Sequence, residues 1–293
     1  MKIRKRALFT SCLLIAILLT IYVWGFFKKE NQQQVIPFKV LHGLPVVDVN
    51  IQGHTLQLIL DLGAHFSSLS KESIKKVPLF KLSKTINRMN IYGQKTTNPM
   101  FSASQVFMGS YLLPYLEFSE SMGSSPDFEL EPPKVLTYGS IGREPFLNKV
   151  LFIDRKQKVC VVDLAHLNQK IDPRKYFQGE WIEADFNLDQ GTGISLCLIT
   201  NSGEKKEFIL DTGANFSAID KNSLSKLPID LRNQTENISI SLCDGTSLGT
   251  FPFYPLNLSE AGLQGILGFD FFDCYLICID FLNKKIFFVP DKT

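Results

Sequence analysis

Net charge is almost absent from this sequence: 31 Lys and Arg stand against 29 Asp and Glu, leaving +2 at pH 7. Apart from a cluster at the start, the basic residues are scattered, and no stripe exists that would follow a phosphate backbone. Nucleic acid is therefore not expected as a partner. Histidine is scarce, and the 4 residues His42, His54, His65 and His166 do not gather in the sequence. No C-x-x-C spacing occurs either, so neither a metal nor another cofactor is expected. Of 6 cysteines, Cys12 lies in an apolar run. The others (Cys160, Cys197, Cys243, Cys274 and Cys278) are odd in number and imply no complete disulfide frame. Cys274 and Cys278 read as small buried apolar residues. Tryptophan is down to 2 while phenylalanine reaches 24, a balance that suits a sheet-rich core. Long helical periodicity is missing after residue 30, which excludes a helical bundle.

The start of the chain stands apart. Lys2, Arg4, Lys5 and Arg6 precede the 21 uncharged residues from Ala7 to Phe27, and Lys28 and Lys29 close the run. That length crosses a hydrocarbon core as a helix. The run ends in bulky Trp24-Gly25-Phe26-Phe27, without the small-residue cleavage site of a signal peptide. Tyr22 and Trp24 suit an interfacial belt, and the greater positive charge before the run places the N-terminus in the cytoplasm. The expected organisation is a basic cytoplasmic tail at 1–6, a single-pass bilayer anchor at 7–27 and a linker at 28–37. The remainder lies on the extracytoplasmic side.

That remainder repeats itself. "LILDLGAHFSSLS" (Leu58 to Ser70) is echoed by "FILDTGANFSAID" (Phe208 to Asp220). The offset is 211 − 61 = 150, and it also matches Gly63 with Gly213, Ala64 with Ala214, Phe66 with Phe216 and Ser67 with Ser217. A second echo follows, "YGSIGREPFLNKVLFIDRKQKVCVV" against "QGILGFDFFDCYLICIDFLNKKIFFV", at the offset 268 − 142 = 126. The first copy carries 24 extra residues (150 − 126), much of them in the polar, Pro-rich "SESMGSSPDFELEPPK" (Ser119 to Lys134). Two lobes are expected, at 38–170 and 171–293, each built from short runs of β-formers bounded by turn residues. "NSGE" and "LNKK" sit at hairpin turns, and "KESIKKVPLF" and "DKNSLSKLPID" suggest one short helix after each Asp motif. The fold class is all-β.

An acid that ends an apolar strand ahead of X-Gly-Ala sits on a tight turn, and a lone Asp there is usually a turn former. Two copies related by an approximate two-fold axis bring Asp61 and Asp211 face to face. Adjacent carboxylates cannot both ionise cheaply, so one proton is shared. Such a pair activates a water on one side and donates a proton on the other.

These motifs resemble those of aspartic proteases. "LDTGANFSAID" is closest to the retroviral-type branch. "GSIGREPFL" and "GILGFDFF" resemble the apolar-apolar-Gly signature that completes each lobe. The resemblance covers roughly Leu44 to Val289. It implies a pseudo-two-fold, retropepsin-like acid-protease fold in one monomeric chain. It also implies an endopeptidase with Asp61 and Asp211 as catalytic residues and Gly63, Ala64, Thr212, Gly213 and Ala214 as their support. The substrate would be an extended peptide with apolar residues near the scissile bond. Glycine-containing hairpins would cover it, with Tyr92 and Gly93 in the first lobe and Asp244 and Gly245 in the second.

The sequence departs from the family at Leu62, where a Thr would supply a hydroxyl to the partner lobe. Thr212 then lacks a side-chain counterpart, and its route to the other lobe is through backbone. The alternative function is a catalytically weak or inactive peptide-binding or scaffold module on the same fold. Ala64 and Ala214 donate nothing to the carboxylates, which keeps the pair's pKa values high and places the optimum in mildly acidic to neutral pH. His65 faces Asn215 in the repeat and reads as a residue outside the reaction. Sequons stand at Asn215, Asn233, Asn237 and Asn257, and Asn215, four residues past Asp211, is expected to lie too close to the motif to carry a glycan.

Overall fold

The computed structural model describes residues 33–89, 93–121, 138–163, 179–189, 191, 193–223 and 235–290. The expected anchor at 7–27, the flap candidate Tyr92 and most of the Pro-rich insertion lie outside the described residues. Among the described residues, no helix is long and apolar enough to cross a membrane. The architecture is almost entirely β. The first strand, Gln34–Leu41, begins within the stretch assigned from sequence to a linker.

In the first lobe, Leu44–Ile51 and His54–Leu60 form a hairpin. The sequence alternates where it must: Val47, Val49 and Ile51 are buried, while Asp48 between them is exposed. Opposite faces of a strand meet opposite environments, so this pattern fixes the register. The hairpin's second strand runs directly into Asp61. There Leu60 pairs in parallel with Ile141 of the short strand Gly139–Ile141. The second lobe repeats the arrangement: Lys205–Leu210 leads into Asp211, and Leu210 pairs in parallel with Leu267 of Gly265–Leu267. After the first Asp motif comes the expected short helix, Lys71–Lys76, whose N-terminus is capped by the Ser70 hydroxyl. After the second, the described residues hold a 3-10 turn, Lys221–Ser223, and the rest of the expected helix lies outside them.

The lobes are joined by a sheet rather than by loops. Six antiparallel strands run across the molecule, from Ile182–Asp185 through Lys285–Pro290, Tyr275–Asp280, Val150–Asp154 and Val159–Asp163 to Gln34–Leu41. "VLFID" at Val150–Asp154 is apolar on both faces because it is central to this sheet and buried from both sides. Its register pairs Phe152 with Cys278. The separation, 278 − 152 = 126, equals the offset between the repeats. The strand therefore lies against its own copy, and the local two-fold axis passes through that pair. A single hydrophobic core spans both lobes, from Ile36 and Phe38 to Phe271 and Phe288.

The cysteines add one bond to the sequence reading and correct it at one position. Cys197 and Cys243, 46 residues apart, form a disulfide. Lateral pairing of Leu198 with Leu242 brings the two strand ends together. Cys274 is exposed rather than core, at the end of the 3-10 segment Phe269–Asp273. Cys160 and Cys278 are buried.

Candidate active site

The two Asp turns are built alike. The Asp61 N–H donates to Ile141 O at 2.8 Å and the Asp211 N–H to Leu267 O at 2.9 Å. Each carboxylate is then held by its own turn: Ala64 N–H donates to Asp61 Oδ1 at 2.9 Å, and Gly213 N–H to Asp211 Oδ1 at 2.8 Å. Ser67 and Ser217 accept the N–H groups of Gly142 and Gly268, both at 3.1 Å, which ties each turn to the glycine of the second motif.

Each carboxylate rests on the glycine of the opposite lobe. A Cβ at Gly63 would lie 2.3 Å from Asp211 Cγ, and one at Gly213 would lie 2.7 Å from Asp61 Cγ. Only glycine leaves that room. Asp61 and Asp211 hydrogen-bond to each other, and the Gly63 N–H reaches Asp211. Burial raises the pKa of Asp61 above the usual carboxylate value, while the Ala64 N–H, Asp211, Arg88 and Arg143 pull it back. Asp211 is pushed up to about 7, first by burial and then by the charge of Asp61. The environments thus separate two chemically identical groups into a readier anion, Asp61, and a proton holder, Asp211.

Thr212 bridges the two Asp turns without a matching hydroxyl from the first lobe. Its buried hydroxyl donates to Leu60 O at 2.6 Å and accepts the Leu62 N–H at 2.9 Å. Leu62 occupies the symmetric position and is fully buried in the core. The missing hydroxyl is therefore replaced by apolar packing, and the backbone route expected for Thr212 is in place.

Several residues of this site were not legible in the sequence. Arg143, fully buried, donates to Gly63 O at 2.8 Å and to Asp189 O of the second lobe at 2.6 Å. It clamps the first Asp turn from behind. Its position in the repeat is taken by Phe269, so the duplication gave no hint of it. Asp270 accepts from the N–H and hydroxyl of Ser217 at 2.9 and 2.7 Å. Its counterpart Glu144 keeps a buried Oε2 with no hydrogen-bond partner among the described residues. Burial raises the pKa of Glu144, with Glu117 adding to it. His65 Nδ1 is likewise buried without a partner there, and burial, with the charge of Arg143 adding to it, lowers its pKa. Among the described residues, no cluster of three or more His, Cys, Asp or Glu could hold a metal ion.

The two hairpins differ. In the first lobe, Phe80–Met89 and Lys95–Met108 carry Gly93, where an added Cβ would meet Glu260 O at 2.8 Å. This hairpin crosses to the opposite lobe. In the second lobe, Asp244 and Gly245 cap the hairpin of Glu236–Leu242 and Ser247–Leu256, exposed at its tip. The adjoining Cys243 is pinned to Cys197 on the strand Gly193–Ile199.

No family model and no curated protein sequence matches the chain. Among solved structures it is similar to the aspartic proteinase from Irpex lacteus, with a TM-score of 0.56 and 12% identity. The likeness covers 89% of this chain and 98% of that one. At this identity the likeness establishes the fold, a two-lobed acid-proteinase fold.

Proposed function

We propose that the chain is an aspartic endopeptidase of retropepsin-like character, acting as a single-chain pseudo-dimer and tethered to a membrane through residues 7–27. The observation that carries the reading is the mutual seating of Asp61 and Asp211, each on the other lobe's glycine, with a shared hydrogen bond. A water bound between them gives its proton to Asp61 while the oxygen attacks the peptide carbonyl. Asp211 donates its proton to the carbonyl oxygen. Collapse of the tetrahedral adduct returns that proton to Asp211, and Asp61 passes the other to the leaving amine. No covalent intermediate and no cofactor enter. The peptide lies extended between the Gly93 hairpin and the dyad, where Phe216 and Tyr254, 4.4 Å apart, favour apolar side chains. The Cys197–Cys243 disulfide supports an oxidising, extracytoplasmic compartment, as the charge bias of the anchor does.

The reaction needs the singly protonated pair. That state is lost as Asp211 ionises, so kcat/KM is expected to fall as pH rises through about 7. It is also expected to fall at the acid end as Asp61 takes a second proton. The full chain in detergent micelles, digesting a mixed peptide library from about pH 3 to about pH 8, would reveal both limbs by mass spectrometry. A sharp maximum below about pH 3 would contradict the site's burial. Leu62 favours a second reading, a peptide-binding module that has lost catalysis. A folded protein that is silent at every pH would establish it over the first.

A further inference from the structure

We propose that the cleft selects substrates by charge, with Arg88 on the first-lobe hairpin receiving a carboxylate of the bound peptide. This rests on the endopeptidase reading for where the peptide lies. The strand Phe80–Met89 turns Ile86 and Arg88 inward, half-buried, and leaves Asn87 and Met89 exposed. The Arg88 guanidinium donates to Ser119 Oγ at 2.8 Å. Ser119 is itself fully buried, and its hydroxyl donates to Ser67 O at 3.4 Å, six residues beyond Asp61. The cation thus leaves the hairpin near its tip and is anchored on a buried hydroxyl, close enough for its charge to act on Asp61.

Of the other cations of this wall, Lys81 and Lys95 point to solvent and two more are committed. Lys84 is locked to Glu117 at 2.5 Å, and Arg143 is spent on backbone carbonyls behind the turn. Among the described residues, no Asp or Glu forms an ion pair with Arg88, whose fork of donors is otherwise suited to gripping a carboxylate at two points. A partly desolvated cation with a hydroxyl but no carboxylate in contact is costly, and a substrate carboxylate offsets that cost. The second lobe offers nothing similar. Its matching strand, Glu236–Leu242, buries Ile238, Ile240 and Leu242 and carries an acid, half-buried Glu236, on the same face. The two walls of a symmetric fold therefore differ in charge, and a peptide can be read in one direction.

The carboxylate comes either from an Asp or Glu side chain or from a peptide C-terminus, and the test separates them. Apolar peptides carrying Glu or Gln at each position, with free-acid or amidated ends, would be titrated onto the full-length Asp211→Asn protein in micelles. Their kcat/KM would be measured with the native chain. We expect a roughly tenfold preference for Glu or for the free acid, carried in KM. It should be erased in Arg88→Gln, partly kept in Arg88→Lys, and inverted toward Lys-containing peptides in Arg88→Glu. Matched thermal melts would establish that the variants fold. Equal affinity for acid and amide, or a preference that survives Arg88→Gln, overturns the proposal. So does an effect of Arg88→Gln confined to the pH profile, which would make Arg88 a positioning group for Asp61. Charge-selective binding without cleavage would sink the endopeptidase reading and leave this one standing. Cleavage without charge preference would do the reverse.

Discussion

Asp211→Asn is expected to lower kcat for peptide hydrolysis by about 10³-fold or more, the scale of a lost general acid, while raising the melting temperature at about pH 8. The two effects share a cause. In the folded protein Asp211 keeps its proton up to about 7, whereas an unfolded chain releases it near the ordinary value of 3.8. Between these values the folded state binds more protons, so this group's contribution to stability falls as pH rises through that window. Above it the full cost of two buried adjacent anions is present. Each unit of such a displacement corresponds to ~1.4 kcal/mol. Asparagine carries no charge and can donate to Asp61, so the gain should appear at neutral and alkaline pH and vanish below the ordinary carboxylate value. Asp61→Asn should lose as much activity but gain less stability, because Arg88 and Arg143 already favour its anion. Turnover and thermal melts across pH would check both variants. Wild-type turnover in Asp211→Asn would remove the dyad from consideration. Activity that survives only in Asp61→Asn would point to second lobes pairing between chains.

Thr212→Val is expected to be the most damaging near-isosteric change in the site. It leaves Leu60 O and the Leu62 N–H buried without the partner they share, at about 1–3 kcal/mol each. A total loss of about 2–6 kcal/mol is a large part of a domain's stability. The two strands that deliver Asp61 and Asp211 would lose their side-chain bridge, so kcat should fall as well. Thr212→Ser keeps the hydroxyl and should stay close to native in both respects. Chemical denaturation of the three proteins would measure this. If valine proved neutral, the packing of Leu62 rather than the hydroxyl would be holding the lobes in register.

The duplication made the centre of the site legible. Asp61 and Asp211 each end an apolar strand at a fixed offset, and the second echoes at Gly142 and Gly268 close the same turns. Those features are local: a strand, a tight turn and a glycine where nothing else fits. What stayed hidden depends on how distant segments meet. Cys197 and Cys243 join because Leu198 pairs with Leu242, a lateral contact that an odd cysteine count obscured. Cys274 looked apolar in sequence but falls at a helical end facing solvent. Arg143 and Arg88 were passed over because self-comparison finds what the lobes share, and these two residues are where they differ.

The strand pair through Phe152 and Cys278 has a consequence for how such a molecule changes over generations. In a dimer of identical chains, every substitution near the axis arrives twice, and a variant must be tolerable in both copies at once. Here each copy has its own codons. Leu62 could replace a hydroxyl on one side because Thr212 kept one on the other. A cation could settle at Arg88 while isoleucines remained across the cleft. Fusion of the halves therefore releases them from identical inheritance, and the cleft is free to become as lopsided as its substrate.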